Sequence, residues 1–298
     1  MNASESVFNI LKKIIDSTKR GGDAIMAKNL VPNNPIIPSG DKAKKVSGKK
    51  AQGFTINSNT GKFFSARLTN GAAGDNHVYL TRLKTNGEVD KVLADQAIGH
   101  ANDCAYYNGR IYIAPEQGDK IIYSYETDFT GKKEHGYVNV QNAPFSGSFT
   151  CIAYIPGSNG WFVLGCKDHY VCAYLHDGKF NGYSSFDIPA WHKRDSDSFD
   201  RQGICVTNDA LYKVYSHKKS GVITKNDIVS YALGGSTPSY STAAKGAEYT
   251  FDNADKNLNF FEAEGISHYD GNDYVSVTVH RTDKDSNHFN NRIYKVTL

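Results

Sequence analysis

The sequence predicts an all-β chain folded as a five-bladed β-propeller, and three observations carry that expectation. Its 298 residues include 19 Tyr, 15 Phe and 27 Gly against two Met, a composition suited to pleated strands and tight turns. From residue 50 onward a unit recurs with a period of roughly 45–60 residues, the range of propeller blades. Each unit opens on a short motif and continues as an apolar run, a turn, a second run, a loop and a third run, which is how antiparallel blade strands read.

The elements follow in order. Residues 1–21 predict one short amphipathic helix, because Val7, Leu11 and Ile14 recur at helical spacing beside Phe8, Ile10 and Ile15. Ser4 or Ser6 would cap it and Gly21-Gly22 would stop it. It reads as a docking element; the sharper alternative is a self-association stem that makes a homo-oligomer. The run Lys42, Lys44, Lys45, Lys49, Lys50 reads as a solvated linker.

The propeller is expected over 22–298, with blades starting near residues 50, 99, 147, 200 and 262. Unit one runs from Ala51-Gln52-Gly53-Phe54 through Lys62–Leu68 to His77–Leu83, and unit two from His100–Cys104 through Arg110–Pro115 to Lys120–Tyr125. Unit three has Phe149–Tyr154, Trp161–Cys166 and Tyr170–Leu175; unit four has Arg201–Ile204, Ala210–Ser216 and Asp227–Leu233. Unit five has Glu262–Ile266, Asp273–His280 and Arg292–Leu298. Asn59-Thr60-Gly61, Asn108-Gly109, Asn208-Asp209 and Asp270-Gly271 supply hairpin turns. Fourth strands are expected in units one to three, near Lys91–Ala94, Gly136–Val140 and Ser184–Ile188. The last unit stops at its third strand, so closing the ring calls for a donated strand from Asp23–Leu30 or Val31–Pro38.

Charge is unevenly placed. Residues 1–50 hold ten Lys/Arg against four Asp/Glu, and the remainder 24 against 27. The body therefore lacks the basic face that nucleic acid requires. No stretch approaches the roughly 20 apolar residues of a membrane span. Val7–Ile15 is interrupted by Asn9, Lys12 and Lys13, so a secretory signal is not expected and an extracellular or virion location would need another export route. The five Cys are odd in number and lack a CxxC; Cys104, Cys151 and Cys205 fall on expected inner strands, as buried small hydrophobes do.

Superposing the units aligns Gly53, Asp103, Thr150, Gly203 and Gly265. One residue earlier stand Gln52, Asn102, Phe149, Gln202 and Glu264; three earlier stand Lys50, His100, Gly147, Asp200 and Glu262. The first residues of inner strands gather at one channel mouth. Gln52, His100, Asn102, Asp200, Gln202, Glu262 and Glu264 are therefore the candidate ligand-binding set, with Asp103 nearby. The competing expectation is a wet channel whose polar groups satisfy one another. Glu262 and Glu264 share one strand face, where like charge raises one carboxyl as a general acid needs, and His100 could act as base. Only Asp200 or Asp103 could partner that acid. No nucleophile elbow, metal signature or phosphate loop accompanies them, so neither cofactor nor metal is expected. Asp283–Asn287 opens like a calcium loop but lacks the later Gly and Glu; with Asp195, Asp197 and Asp200 it reads as solvated loop. The segments Thr69–Asn76, Ser216–Asn226 and His280–Asn291 are expected as polar loops between second and third strands, the next places for recognition.

The stretch Glu262-Ala263-Glu264-Gly265-Ile266, then Tyr274–His280 and Asn291–Val296, resembles the C-terminal end of helveticin-type class III bacteriocins. The five-unit plan, with Gln-Gly openers and Gly99-His100, is similar to the propeller platform of receptor-binding tail proteins of phages that infect Gram-positive bacteria. The long stem and extra receptor-facing domains of those phage proteins are not expected here. The resemblance implies binding to a cell-surface glycan such as teichoic acid. The expectation is thus a glycan-binding propeller, with a hydrolase or lyase acting on a cell-wall polymer as the alternative and a structural scaffold as the third.

Overall fold

The computed structural model describes residues 28–30, 34–69, 76–116, 120–139, 145, 147–191, 196–207, 210–255, 257–281 and 289–298. The expected helix over 1–21 lies outside them, as do Asp195 and the calcium-like stretch Asp283–Asn287. The described chain is all-β, with a single 3₁₀ turn at Asp41–Lys45. No helix among the described residues is long and apolar enough to cross a membrane.

Strand β1 (Lys28–Asn29) precedes five antiparallel meanders. The first is β2 (Ala51–Ile56), β3 (Phe63–Leu68), β4 (His77–Leu83) and β5 (Val89–Ala97). The second is β6 (Asp103–Tyr107), β7 (Arg110–Ala114), β8 (Ile121–Glu126) and β9 (Lys133–Val138). The third is β10 (Cys151–Tyr154), β11 (Trp161–Cys166), β12 (His169–His176) and β13 (Lys179–Asp187). The fourth is β14 (Ser198–Val206), β15 (Ala210–Lys219), β16 (Val222–Gly234) and β17 (Thr242–Thr250), and the fifth β18 (Leu258–Tyr269), β19 (Asn272–Arg281) and β20 (Phe289–Val296). The first strands β2, β6, β10, β14 and β18 touch one another in closed order, so β18 returns to β2. Apolar residues fill the wedges between neighbouring meanders; one such cluster joins Tyr170, Phe186 and Trp191 to Tyr215 and Tyr231.

Two expectations are corrected. Ser216–Asn226 is not a polar loop but the extension of a hairpin: β15 runs on to Lys219 and β16 begins at Val222. Lys218, Lys219 and Ser220 at its tip are exposed, but Ser216 and Asn226 turn inward to do structural work. Buried Ser216 donates to the Ala263 carbonyl at 2.9 Å, and Asn226 accepts the Ala263 amide and donates to the Phe251 and Phe261 carbonyls. The pair thereby ties the fourth meander to the inner strand of the fifth. Thr278 and Asn291 do the same at the next junction, where Asn291 Oδ1 accepts the Ala51 amide at 2.8 Å and its Nδ2 donates to the Lys49 carbonyl. Second, the fourth meander does possess a fourth strand, β17, whose Ala- and Lys-containing sequence carries no strand pattern.

The N-terminal segment closes the seam between the fifth and first meanders. Ile36 and Ile293 exchange backbone hydrogen bonds of 2.9 and 3.1 Å along the free edge of β20, and Ser39 pairs with Glu88 beside β5. Of the two expected donors, Val31–Pro38 thus reaches the last meander, whereas β1 lies parallel to β17 of the fourth. Outer strands β9 and β13 also pair in parallel, joining two meanders into one sheet.

Candidate functional site

The openers of units one, four and five act through the same backbone device. Between Ala51 and Phe54, Arg201 and Ile204, and Ala263 and Gly265, the inner strand carries one extra residue relative to its neighbour. Such a bulge re-aims the side chain beside it, and here Gln52, Gln202 and Glu264 all line the space at the starts of the inner strands. The adjoining glycines are needed for close approach. A Cβ on Gly53 would stand 2.8 Å from the Ala101 carbonyl, one on Gly203 3.0 Å from Gly265 Cα, and one on Gly265 2.9 Å from Phe54 Cβ.

The room left by those glycines is taken by Asp103, which is fully buried. Its Oδ2 accepts the amides of Ile152 and Ile204 at 3.1 and 3.0 Å, and its Oδ1 accepts that of Cys104 at 2.9 Å. Burial nevertheless pushes its carboxyl up to about 8 against these donors. Asp103 is therefore a plug that fastens three inner strands, with no oxygen to spare for a ligand. The third unit departs from the alignment. It has no bulge, Phe149 is buried in the core, and Thr150 lines the space instead.

Above the plug opens a cavity of about 740 Å³, and all seven candidate residues line it: Gln52, His100, Asn102, Asp200, Gln202, Glu262 and Glu264. Its centre is a buried carboxyl pair. Glu262 and Glu264, 6% and 1% exposed, hydrogen-bond to each other. Desolvation, then the neighbouring Glu262 charge, drives Glu264 well above the usual carboxylate range, and its Oε1 has no hydrogen-bond partner among the described residues. Glu262 is also raised by burial but is opposed by Lys50, whose Nζ lies 3.6 Å from its Oε2. The Lys50 ammonium sits over the rings of Phe260 and Phe289, at 4.7 and 5.1 Å, and Gln202 Nε2 donates to Glu262 Oε1 at 3.1 Å. Asn102 Oδ1 is buried and unpartnered, a second open acceptor on the wall.

Sequence reasoning missed Lys50 as a member of the site, together with Glu116 and Arg201 on its wall. Arg201 holds Asp168 in a two-pronged ion pair of 2.9 and 2.6 Å and stacks over Phe199. The alignment already placed Lys50 in the column of His100, Asp200 and Glu262, and that shared column was the available signal. Among the described residues no group of His, Cys, Asp and Glu is arranged to hold a metal. The opposite ends of the inner strands form a second, less polar cavity of about 470 Å³, lined by Tyr106, Tyr154 and Tyr269.

No family model and no curated protein matches the sequence. Solved structures do share the fold. The α-L-arabinofuranosidase of Lactobacillus brevis superposes with a TM-score of 0.52 at 11% identity, over 83% of this chain and 90% of its own. The GH43 endo-arabinanase of Bacillus licheniformis gives 0.50 at 13%, over 82% and 93%. The chain is thus an all-β, propeller-like protein.

Proposed function

We propose that the chain is a five-bladed propeller that hydrolyses a glycan at the polar mouth, with Glu264 as proton donor. The observation that carries the reading is the placement of Glu264: a carboxyl buried beside Glu262 in a large polar cavity, where desolvation and the Glu262 charge raise it well above the usual carboxylate range, as a proton donor needs. The arabinan-acting neighbours share the fold and support a carbohydrate substrate. Glu262 and Glu264 touch, so they cannot flank a scissile bond, which needs carboxyls separated by about 5 Å or more. Asp103 is sealed in the plug. The second carboxylate is therefore assigned to Asp200, with Glu116 as the other acid on the wall.

In the step, the glycosidic C–O bond breaks as Glu264 gives its proton to the leaving oxygen. Water adds to the anomeric carbon and yields its proton to Asp200. Gln52, His100, Asn102 and Gln202 are the proposed sugar-hydroxyl contacts, because amides and imidazole both donate and accept. The test is release of new reducing ends from a panel of arabinan-type and teichoic-acid-type polymers. Turnover by the native chain and its loss in Glu264→Gln support the reading; no product from any polymer sinks it.

A second reading is recognition without cleavage, as in a receptor-binding or bacteriocin-like protein. The contact between Glu262 and Glu264 favours it, since a proton-sharing pair neutralised by Lys50 suits holding an amine or hydroxyl. Retention on Gram-positive cell walls without product release would select it.

A further inference from the structure

Among the described residues, Arg67 on β3 has no counter-charge: its side chain is only 3% exposed, and its Nε is buried with no hydrogen-bond partner there. Burial alone lowers its pKa to about 10, with no carboxylate or carbonyl opposing the shift. A guanidinium taken out of water without an acceptor is among the costliest groups a fold can carry. Arg67 lines a cavity of about 200 Å³ under the N-terminal segment, and no described residue lining that cavity is acidic. The wall instead offers donors: the Lys44 ammonium, the Ser47 hydroxyl and the Asn290 amide.

We propose that this cavity binds a small oxyanion of the phosphate or sulfate type, gripped by Arg67 with Lys44, Ser47 and Asn290. A planar guanidinium presents paired N–H groups that match two oxygens of such an ion. The volume suits an inorganic ion or a single phosphate group. Residues 37–47 come from the N-terminal segment, Arg67 from the first meander and Asn290 from the fifth, so the bound ion would tie all three together at the seam. The inference shares no residue with the polar mouth and does not rest on the function proposed for it.

The experiment is thermal unfolding of the full chain as chloride is exchanged for inorganic phosphate at constant pH and ionic strength, alongside a ³¹P NMR titration. A ligand that binds only the folded state raises the midpoint saturably. That rise is expected in the native chain and is expected to vanish in Arg67→Met, which keeps the aliphatic bulk and removes the charge. Lys44 is exposed, so Lys44→Ala keeps the test open should Arg67→Met fail to fold; it should weaken phosphate binding about tenfold, as loss of one charged contact does. A parallel arm with a glycerophosphodiester identifies the source: a rise equal to that from phosphate assigns the site to a phosphodiester linkage, and a rise from phosphate alone assigns it to the free ion. No saturable response to either, or an equal response in Arg67→Met, overturns the proposal.

Discussion

Asp103 Oδ2 receives the Ile204 amide at 3.0 Å, joining inner strands 101 residues apart in sequence. The same oxygen takes the Ile152 amide, so one carboxyl fastens strands of three meanders at the bottom of the polar mouth.

The burial of this carboxyl gives stability a definite pH dependence. Burial lifts the Asp103 carboxyl from 3.8 to about 8 in the folded chain. Between those values the native state keeps a proton that the unfolded chain releases. Its contribution is therefore greatest in acid and is lost as pH rises through about 8, with a slope of up to about 1.4 kcal/mol per pH unit. Asp103→Asn cannot titrate. Denaturant unfolding of both proteins from pH 4.5 to 8.5 should show the native chain losing ground relative to the variant, and parallel curves would falsify the assignment.

Gly203→Ala should destabilise by about 1–3 kcal/mol through overpacking, because its Cβ would meet Asp103 Oδ1 at 2.8 Å and Gly265 Cα at 3.0 Å. Gly136, with nothing within 4 Å of its built Cβ, is the matched control and should change by less than about 0.5 kcal/mol. Urea midpoints for the two variants settle the comparison.

Asn291→Ala removes the acceptor for the Ala51 amide and the donor to Lys49 at the seam. The loss should be about 1–2 kcal/mol, since the Lys49 carbonyl loses its donor while the Ala51 amide keeps only Thr278 Oγ1 at 3.0 Å. Hydrogen exchange at Ala51 should accelerate with it, and unchanged protection there would refute the clamp.

Lys50→Met takes away the positive charge that opposes protonation of both Glu262 and Glu264. Both carboxyls should move higher, so the basic limb of the turnover or glycan-binding profile shifts to higher pH. A limb that stays in place means these acids do not set it.

Deleting residues 1–40 should lower the melting temperature of the whole domain, because Ile36 would no longer cover the edge of β20. A truncated chain that melts like the full one would show that the pairing carries no weight.

Much of this was legible in the residues. The period-two runs and turn residues placed nearly every strand, and Gln52-Gly53, Gln202-Gly203 and Glu264-Gly265 marked the inner strands because a polar residue that lines the mouth stands beside a glycine needed for close approach. The unfinished fifth unit pointed to a donated edge strand. Phe149 was misplaced because nothing in its spacing shows that the ring turns into the core and leaves Thr150 on the wall. Ser216–Asn226 looked like a recognition loop because polarity alone does not tell solvated residues from buried, satisfied ones, and it ends on Asn226, which holds the next inner strand; residues 70–75 and 282–288 of the other two expected loops lie outside the described residues. Arg67 carried no signal at all: an arginine between Ala66 and Leu68 reads as an outward strand residue until the N-terminal segment is seen to cover it.

The pairing of Ile36 with Ile293 also dictates an order of events during synthesis. The donor leaves the ribosome early, while its acceptor is made only after the whole repeat array. Until then the nascent chain holds an open arc with two unfinished ends, and long-range closure of this kind is slow. The vulnerable interval is thus the one between the emergence of β20 and the seating of Ile36 on its edge, when a chaperone or a neighbouring copy could occupy that edge first.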